Sequence, residues 1–180
     1  QPGVPGHADG AIGLNALLNC PVGVALDEAN AALYVAEFAE HDIRKIALSG
    51  THAISTVVGV PGTCGAQDSD SASDPPTFCN PYGLADDGSQ SVGSTTLFVA
   101  DSNNATVRKI VLANPLTGTT TIAGTAGSRG TSATQLTRPM AVAYQNSASL
   151  FVTDQASSGV GGQMLRQIPL PSGTAASATS

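Results

Sequence analysis

One hairpin is written three times in this chain, and that repetition limits what the chain can fold into more than any other feature. "LYVAEFAEHDIRKI" occupies residues 33–46, "LFVADSNNATVRKI" residues 97–110 and "LFVTDQASSGVGGQMLRQI" residues 150–168. Each copy is two short β-type runs around a polar turn. Each is preceded by a run that opens on proline: "PVGVALD" from Pro21, "PYGLADD" from Pro81 and "PMAVAYQ" from Pro139, at spacings of 60 and 58 residues. The first two copies are followed by a fourth run, "AISTVVG" at 53–59 and "TTTIAG" at 119–124. Self-similarity at a fixed period marks an architecture whose units bury their faces only against one another.

The unit reads as four strands, A to D. Strand B carries Leu33-Tyr34-Val35, Leu97-Phe98-Val99 or Leu150-Phe151-Val152, apolar on both faces. A sheet wetted on one side alternates instead. Four-stranded antiparallel sheets packed face to face around an axis make a β-propeller, so the predicted class is all-β. Proline is tolerated at the head of strand A because a first strand residue can do without its ladder N–H. Gly23 and Gly83 suit a crowded innermost strand, and the third unit has Ala141 there.

The run Pro-x-Gly-Val/Leu-Ala, then Leu-Tyr/Phe-Val-Ala-Asp-Ser, Ile/Val-Arg-Lys-Ile and Thr-x-Ala-Gly-x-x-Gly resembles the NHL repeat of six-bladed β-propellers. The likeness is specific in the first two copies and eroded in the third, whose B–C turn is expanded to "QASSGVGG". It implies three four-stranded antiparallel blades, half of a six-bladed ring. Residues 1–20 would be an inter-blade loop, 21–59 blade 1, 60–80 a crossover, 81–124 blade 2, 125–138 a second crossover and 139–180 blade 3. Aligning Gly173 with Gly118 makes "TAASATS" a degenerate last strand. The two outer flanks, through Val35 on blade 1 and Val152 and Leu165 on blade 3, would then need covering by further blades of the same parent chain or by another copy. Glu37, Asp101 and Asp154 end strand B, and Arg44, Arg108 and Arg166 sit on strand C. Their recurrence reads as structural acid–base pairs across each hairpin rather than as an anion site.

Chemistry is harder to find. Some propellers of this type are lyases or lactonases with ligands converging on the central channel, and a catalytic metal needs several His or carboxylates there. The three histidines, His7, His41 and His52, all fall in loops or turns, so no catalytic, cofactor or metal residue is assigned. The acidic loop with Asp68, Asp70 and Asp74 lacks the Gly and bidentate Glu of a calcium loop of the EF type. "AGTAGSRG" at 123–130 has no helix after it to cradle phosphate and reads as the crossover between blades.

Cys64 and Cys79 bracket the 60–80 crossover, and a disulfide between them would close a loop of about 15 residues, worth about 3 kcal/mol in the chain-entropy model. Cys20–Cys64 is the alternative pairing. Asn104-Ala105-Thr106 is a glycosylation sequon in a B–C turn, expected to be an exposed tip. Charged residues make up 11% of the chain, against a usual quarter. Cysteines, sequon and low charge point to an extracellular or cell-surface setting. Seven basic residues against thirteen acidic ones, a net charge of −6, argue against nucleic acid. No apolar run approaches the ~20 residues that would span a bilayer, so membrane insertion is not expected. The expected role is a non-catalytic propeller module that presents a surface to protein or glycan partners, or builds an extracellular or ciliary glycoprotein filament. The alternative is part of a lyase or lactonase with catalytic residues on other blades.

Overall fold

The computed structural model describes residues 6–11, 16–69, 74–145, 148–156 and 163–170. Every regular element among them is a strand, apart from one 3-10 turn at Ser102–Asn104. Strands β2 (Pro21–Asp27), β3 (Ala32–Glu37), β4 (Asp42–Ala47) and β5 (Ala53–Gly59) form the first antiparallel sheet. A two-residue strand, β1 (Gly10–Ala11), is added to its outer edge beside β5. The second sheet is β6 (Pro81–Asp86), β7 (Thr96–Asp101), β8 (Thr106–Val111) and β9 (Thr119–Gly124). The third is β10 (Pro139–Gln145), β11 (Ser149–Asp154) and β12 (Met164–Pro169). The fourth strand expected over 174–180 lies outside the described residues.

Equivalent residues pair in equivalent ways. Val35 faces Arg44, Val99 faces Arg108 and Val152 faces Arg166 across the B–C ladders. Each strand A slips register just after its leading proline. A proline has no N–H to give the ladder, and a bulge there adds the twist that an inner strand needs.

The core lies between the sheets, in two layers. Tyr34, Ala36 and Ile43 of blade 1 meet Leu84, Leu97 and Val99 of blade 2, with Phe78 from the crossover between them. Phe98, Ala100 and Val107 of blade 2 meet Val142, Leu150 and Val152 of blade 3, with Leu136 from the second crossover. All six residues of β7 are buried, because the middle blade is covered on both sides. At the inner edge the strands nearly touch. A methyl group on Gly23 would lie 2.0 Å from the Tyr82 carbonyl oxygen, and one on Gly83 2.4 Å from that of Met140. Only glycine allows that approach. The arrangement is three blades of a β-propeller.

Two flank assignments need correcting. Val152 faces inward, toward blade 2, and is fully buried; the outward residues of β11 are Phe151 and Thr153. Val35 does point away from blade 2, yet it is only 3% exposed. Leu165 is exposed, as expected.

Candidate functional site

The repeated acid and arginine hold together strands and loops that are far apart in the sequence. Glu37 and Arg44 pair at 2.6 Å, Asp101 and Arg108 at 3.1 Å, and all four side chains are fully buried. Each blade uses them to fasten the loop that enters it. The Glu37 carboxylate accepts the Asn19 N–H, Asp101 accepts the Cys79 N–H, and Asp154 accepts those of Thr137 and Arg138. These acceptors hold the chain just before each strand A. The arginines hold the same loops further back. Arg44 donates to the Ala8 carbonyl and Asp9, Arg108 to the carbonyls of Thr77 and Gln67, and Arg166 to those of Thr131 and Ser132. Asp68 adds a 2.8 Å ion pair to Arg108, and the Arg108 guanidinium lies 4.9 Å from the centre of the Phe78 ring.

The third pair does not form. Asp154 and Arg166 stand at the expected positions, but both Asp154 oxygens are taken by backbone N–H groups. Arg166 reaches instead to the Thr131 and Ser132 carbonyls of the crossover and stays half-buried. The clamp on the loop recurs in every blade; the ion pair recurs in two.

Burial makes three of the carboxyls reluctant to ionise, Asp86 among them. Asp101 is pushed up to about 6, chiefly by loss of solvent, against the opposing pull of Asn104, the Cys79 N–H and Arg108. Asp42 is pushed up to about 7 by burial and by the nearby Glu37 charge, opposed by His7 and Arg44.

His7, from the entering loop, reaches Asp42 at 2.8 Å and the Thr56 hydroxyl at 3.1 Å. His7, Glu37 and Asp42 thereby bring three potential ligand atoms within 4.8 Å of one another, the one such group among the described residues. Sequence reasoning missed it, because 30 residues separate His7 from Glu37 and no spacing rule joins a loop to a hairpin. As a metal centre it is poorly equipped. One Glu37 oxygen is spent on the Asn19 N–H, and the other is held by a guanidinium at 2.6 Å, which adds positive charge where a cation would sit. The cluster reads as part of the loop clamp. His41 is a turn residue at φ 64° whose Nδ1 accepts the Asn80 N–H, and His52 is exposed.

The crossover before blade 2 carries a Cys64–Cys79 disulfide with Cα atoms 4.4 Å apart, and Cys20 is free and exposed. The Cys20–Cys64 alternative is thereby set aside. Cys20 occupies the position of Asn80, each at positive φ directly before the strand-A proline. Of the acidic loop, Asp68 is committed to Arg108 and the Thr121 hydroxyl, and Asp74 accepts from the Gln67 side chain; Asp70 lies outside the described residues. Asn104 is not the exposed tip the sequon suggested. It is 9% exposed, and its amide nitrogen donates to the Gly65 carbonyl and to Asp101, both at 2.7 Å. A glycan on that nitrogen would replace one of its two hydrogens, so at least one of these bonds would be lost and the buried turn would have to open, and the expected modification does not fit this placement.

No family model matches the sequence, and no curated protein matches it. Solved structures do. A Bacteroides thetaiotaomicron auxiliary nutrient binding protein aligns over 73% of this chain and 34% of its own, with a TM-score of 0.59 at 14% identity. A Xanthomonas campestris gluconolactonase aligns over 84% of this chain and 44% of its own, at 0.57 and 12% identity. A nidogen–laminin complex aligns over 82% and 48%, at 0.52 and 18% identity. The chain spans between a third and a half of the length of these structures. At such identities the likeness is one of fold.

Proposed function

We propose that the chain is part of a non-catalytic, NHL-type propeller, acting outside the cell as a recognition or scaffold module for protein or glycan partners. One observation carries the reading. Among the described residues the buried charged side chains Glu37, Asp42, Arg44, Asp101, Arg108 and Asp154 are bonded to the loops entering the blades, and Asp27 to Asn30 in the turn after its own strand, so their chemistry is spent on holding the frame. The innermost strands meanwhile carry Val22, Tyr82 and Met140 just after their leading prolines. A rigid frame with variable loops suits recognition surfaces. The disulfide and the low charge support an extracellular setting. A role as a unit of an extracellular or ciliary filament belongs to the same reading.

The rival is an enzyme whose catalytic groups lie on other blades. It is kept because one matched structure is a gluconolactonase. Two measurements on the full-length protein separate them: binding to arrays of glycans and extracellular-matrix proteins, and lactone hydrolysis and lyase assays with calcium and zinc supplied. Saturable binding without turnover supports the module. Turnover abolished by chelation and restored by metal overturns it.

A further inference from the structure

The two flanks of the stack are unlike each other, and each has counterparts inside the molecule. On the side of a blade that faces its predecessor, strand A carries Val24, Leu84 or Val142. Leu84 and Val142 are 7% and 9% exposed, whereas Val24 is 64% exposed. The entering loop adds Phe78 and Leu136 to the buried versions of this surface, and Leu18, their equivalent, is only half-buried. On the side that faces a successor, strand C carries Ile43, Val107 or Leu165. The first two are fully buried, and Leu165 is 69% exposed. Strand B adds Tyr34 and Phe98, both buried, and Phe151, half-buried. The leading flank of blade 1 is thus the kind of surface that the trailing flanks of blades 1 and 2 cover inside the fold, the trailing flank of blade 3 is of the covering kind, and one chain carries both. Large uncovered apolar surfaces mark interfaces.

We propose that a second copy of this chain covers them: two copies join head to tail, the trailing face of blade 3 in each seated on the leading face of blade 1 in the other. The interface already built between blades 2 and 3 supplies the pattern. There Tyr144 stacks on Phe98 with ring centres 5.5 Å apart. Leu26, 47% exposed, holds the place of Tyr144, and Phe151 holds that of Phe98, so Leu26 of one copy sits on Phe151 of the other. A heterologous contact closes into a ring when its rotation allows, and otherwise runs on as a filament. Closure by two fits the fold, since the three blades align with 44% of the gluconolactonase chain. The new contact differs from the internal ones at its inner edge. Ala141 stands where Gly23 and Gly83 lie against the next blade, so the incoming strand sits further out there. The inference rests on the fold alone and is independent of the recognition role.

Sedimentation of the 180-residue chain tests it, with circular dichroism as the check on folding. The wild type is expected to be a dimer of twice the chain mass. Val24→Asp and Leu165→Asp should each sediment as folded monomers. Mixed in equal amounts they should form a dimer again, because one of its two contacts is wild type on both sides. Leu26→Lys is the second probe of the leading face should Val24→Asp not fold. Ala141→Gly should tighten association several-fold. A wild-type chain that stays monomeric at every concentration overturns the proposal, as it would if further blades of a longer chain were the natural occupant. Growth into larger species overturns closure. Failure of the mixed variants to dimerise overturns the head-to-tail pairing.

Discussion

Asp42 and Asp101 hold their protons more tightly in the fold than in the unfolded chain, at about 7 and about 6 against 3.8. Below about pH 4 both states bind those protons, so the groups contribute no difference. As pH rises through the window between 4 and 7, the unfolded chain releases them first and stability falls. These two groups should therefore lower the melting temperature between pH 4 and pH 7. Asp101→Asn should flatten the lower part of that slope and Asp42→Asn the upper part, and a variant series that keeps the wild-type slope would show that burial does not govern them. Asn104 yields a second prediction. Removing its amide leaves the Gly65 carbonyl and one Asp101 oxygen short of a donor, so Asn104→Ala should cost about 1–3 kcal/mol in chemical denaturation. The sequence showed the acids and arginines because they repeat. It did not show their task, because their partners are backbone groups in loops up to 41 residues away. Asn104 misled for a related reason: a sequon is a local pattern, whereas the residue's burial is set by the Gly65 loop packed over it.

The crossovers are the elements that depend most on fastening. Among its described residues the 60–80 segment has isolated bridges and no strand, Cys64 beside Phe78 being one such bridge. It is held by Arg108, by Asp101, by the Ser69–Thr119 backbone bond and by the disulfide. The disulfide joins cysteines separated by 15 in the sequence, and opening it should cost about 3 kcal/mol on the loop-entropy account. Cys64→Ser should show that loss as a lower denaturation midpoint. A midpoint equal to that of the wild type would mean that the arginine and carboxylate hold the loop unaided. Strand positions were legible from proline heads, apolar runs and glycine ends, since those are local demands of the backbone. Strand β1 was not, because two residues of Gly-Ala carry no pattern and lie beside β5 in a loop that Arg44 and Glu37 hold from other strands.

In a stack whose units touch only their neighbours, the same side chain is worth different amounts in different blades. Phe98 and Phe151 occupy the same place in strand B of blades 2 and 3. Phe98 is 1% exposed against Tyr144 and blade 3, whereas Phe151 is half-buried on an open face. Phe98→Ala removes a filled core position and should cost about 3–5 kcal/mol. Phe151→Ala in a dilute sample should cost well under half of that, because much of the ring is already in water. The two variants should also answer differently to concentration. If copies associate through the flanks, the wild-type melting temperature rises with chain concentration, because binding the folded form stabilises it. Phe98→Ala should keep that rise from a lower starting point. Phe151→Ala should start near the wild type and lose the rise, since its ring belongs to the contact between copies. Thermal melts of the three proteins across a hundredfold range of concentration check this. Equal costs for the two phenylalanines in dilute samples would contradict the division of the core into two inner layers and two open flanks.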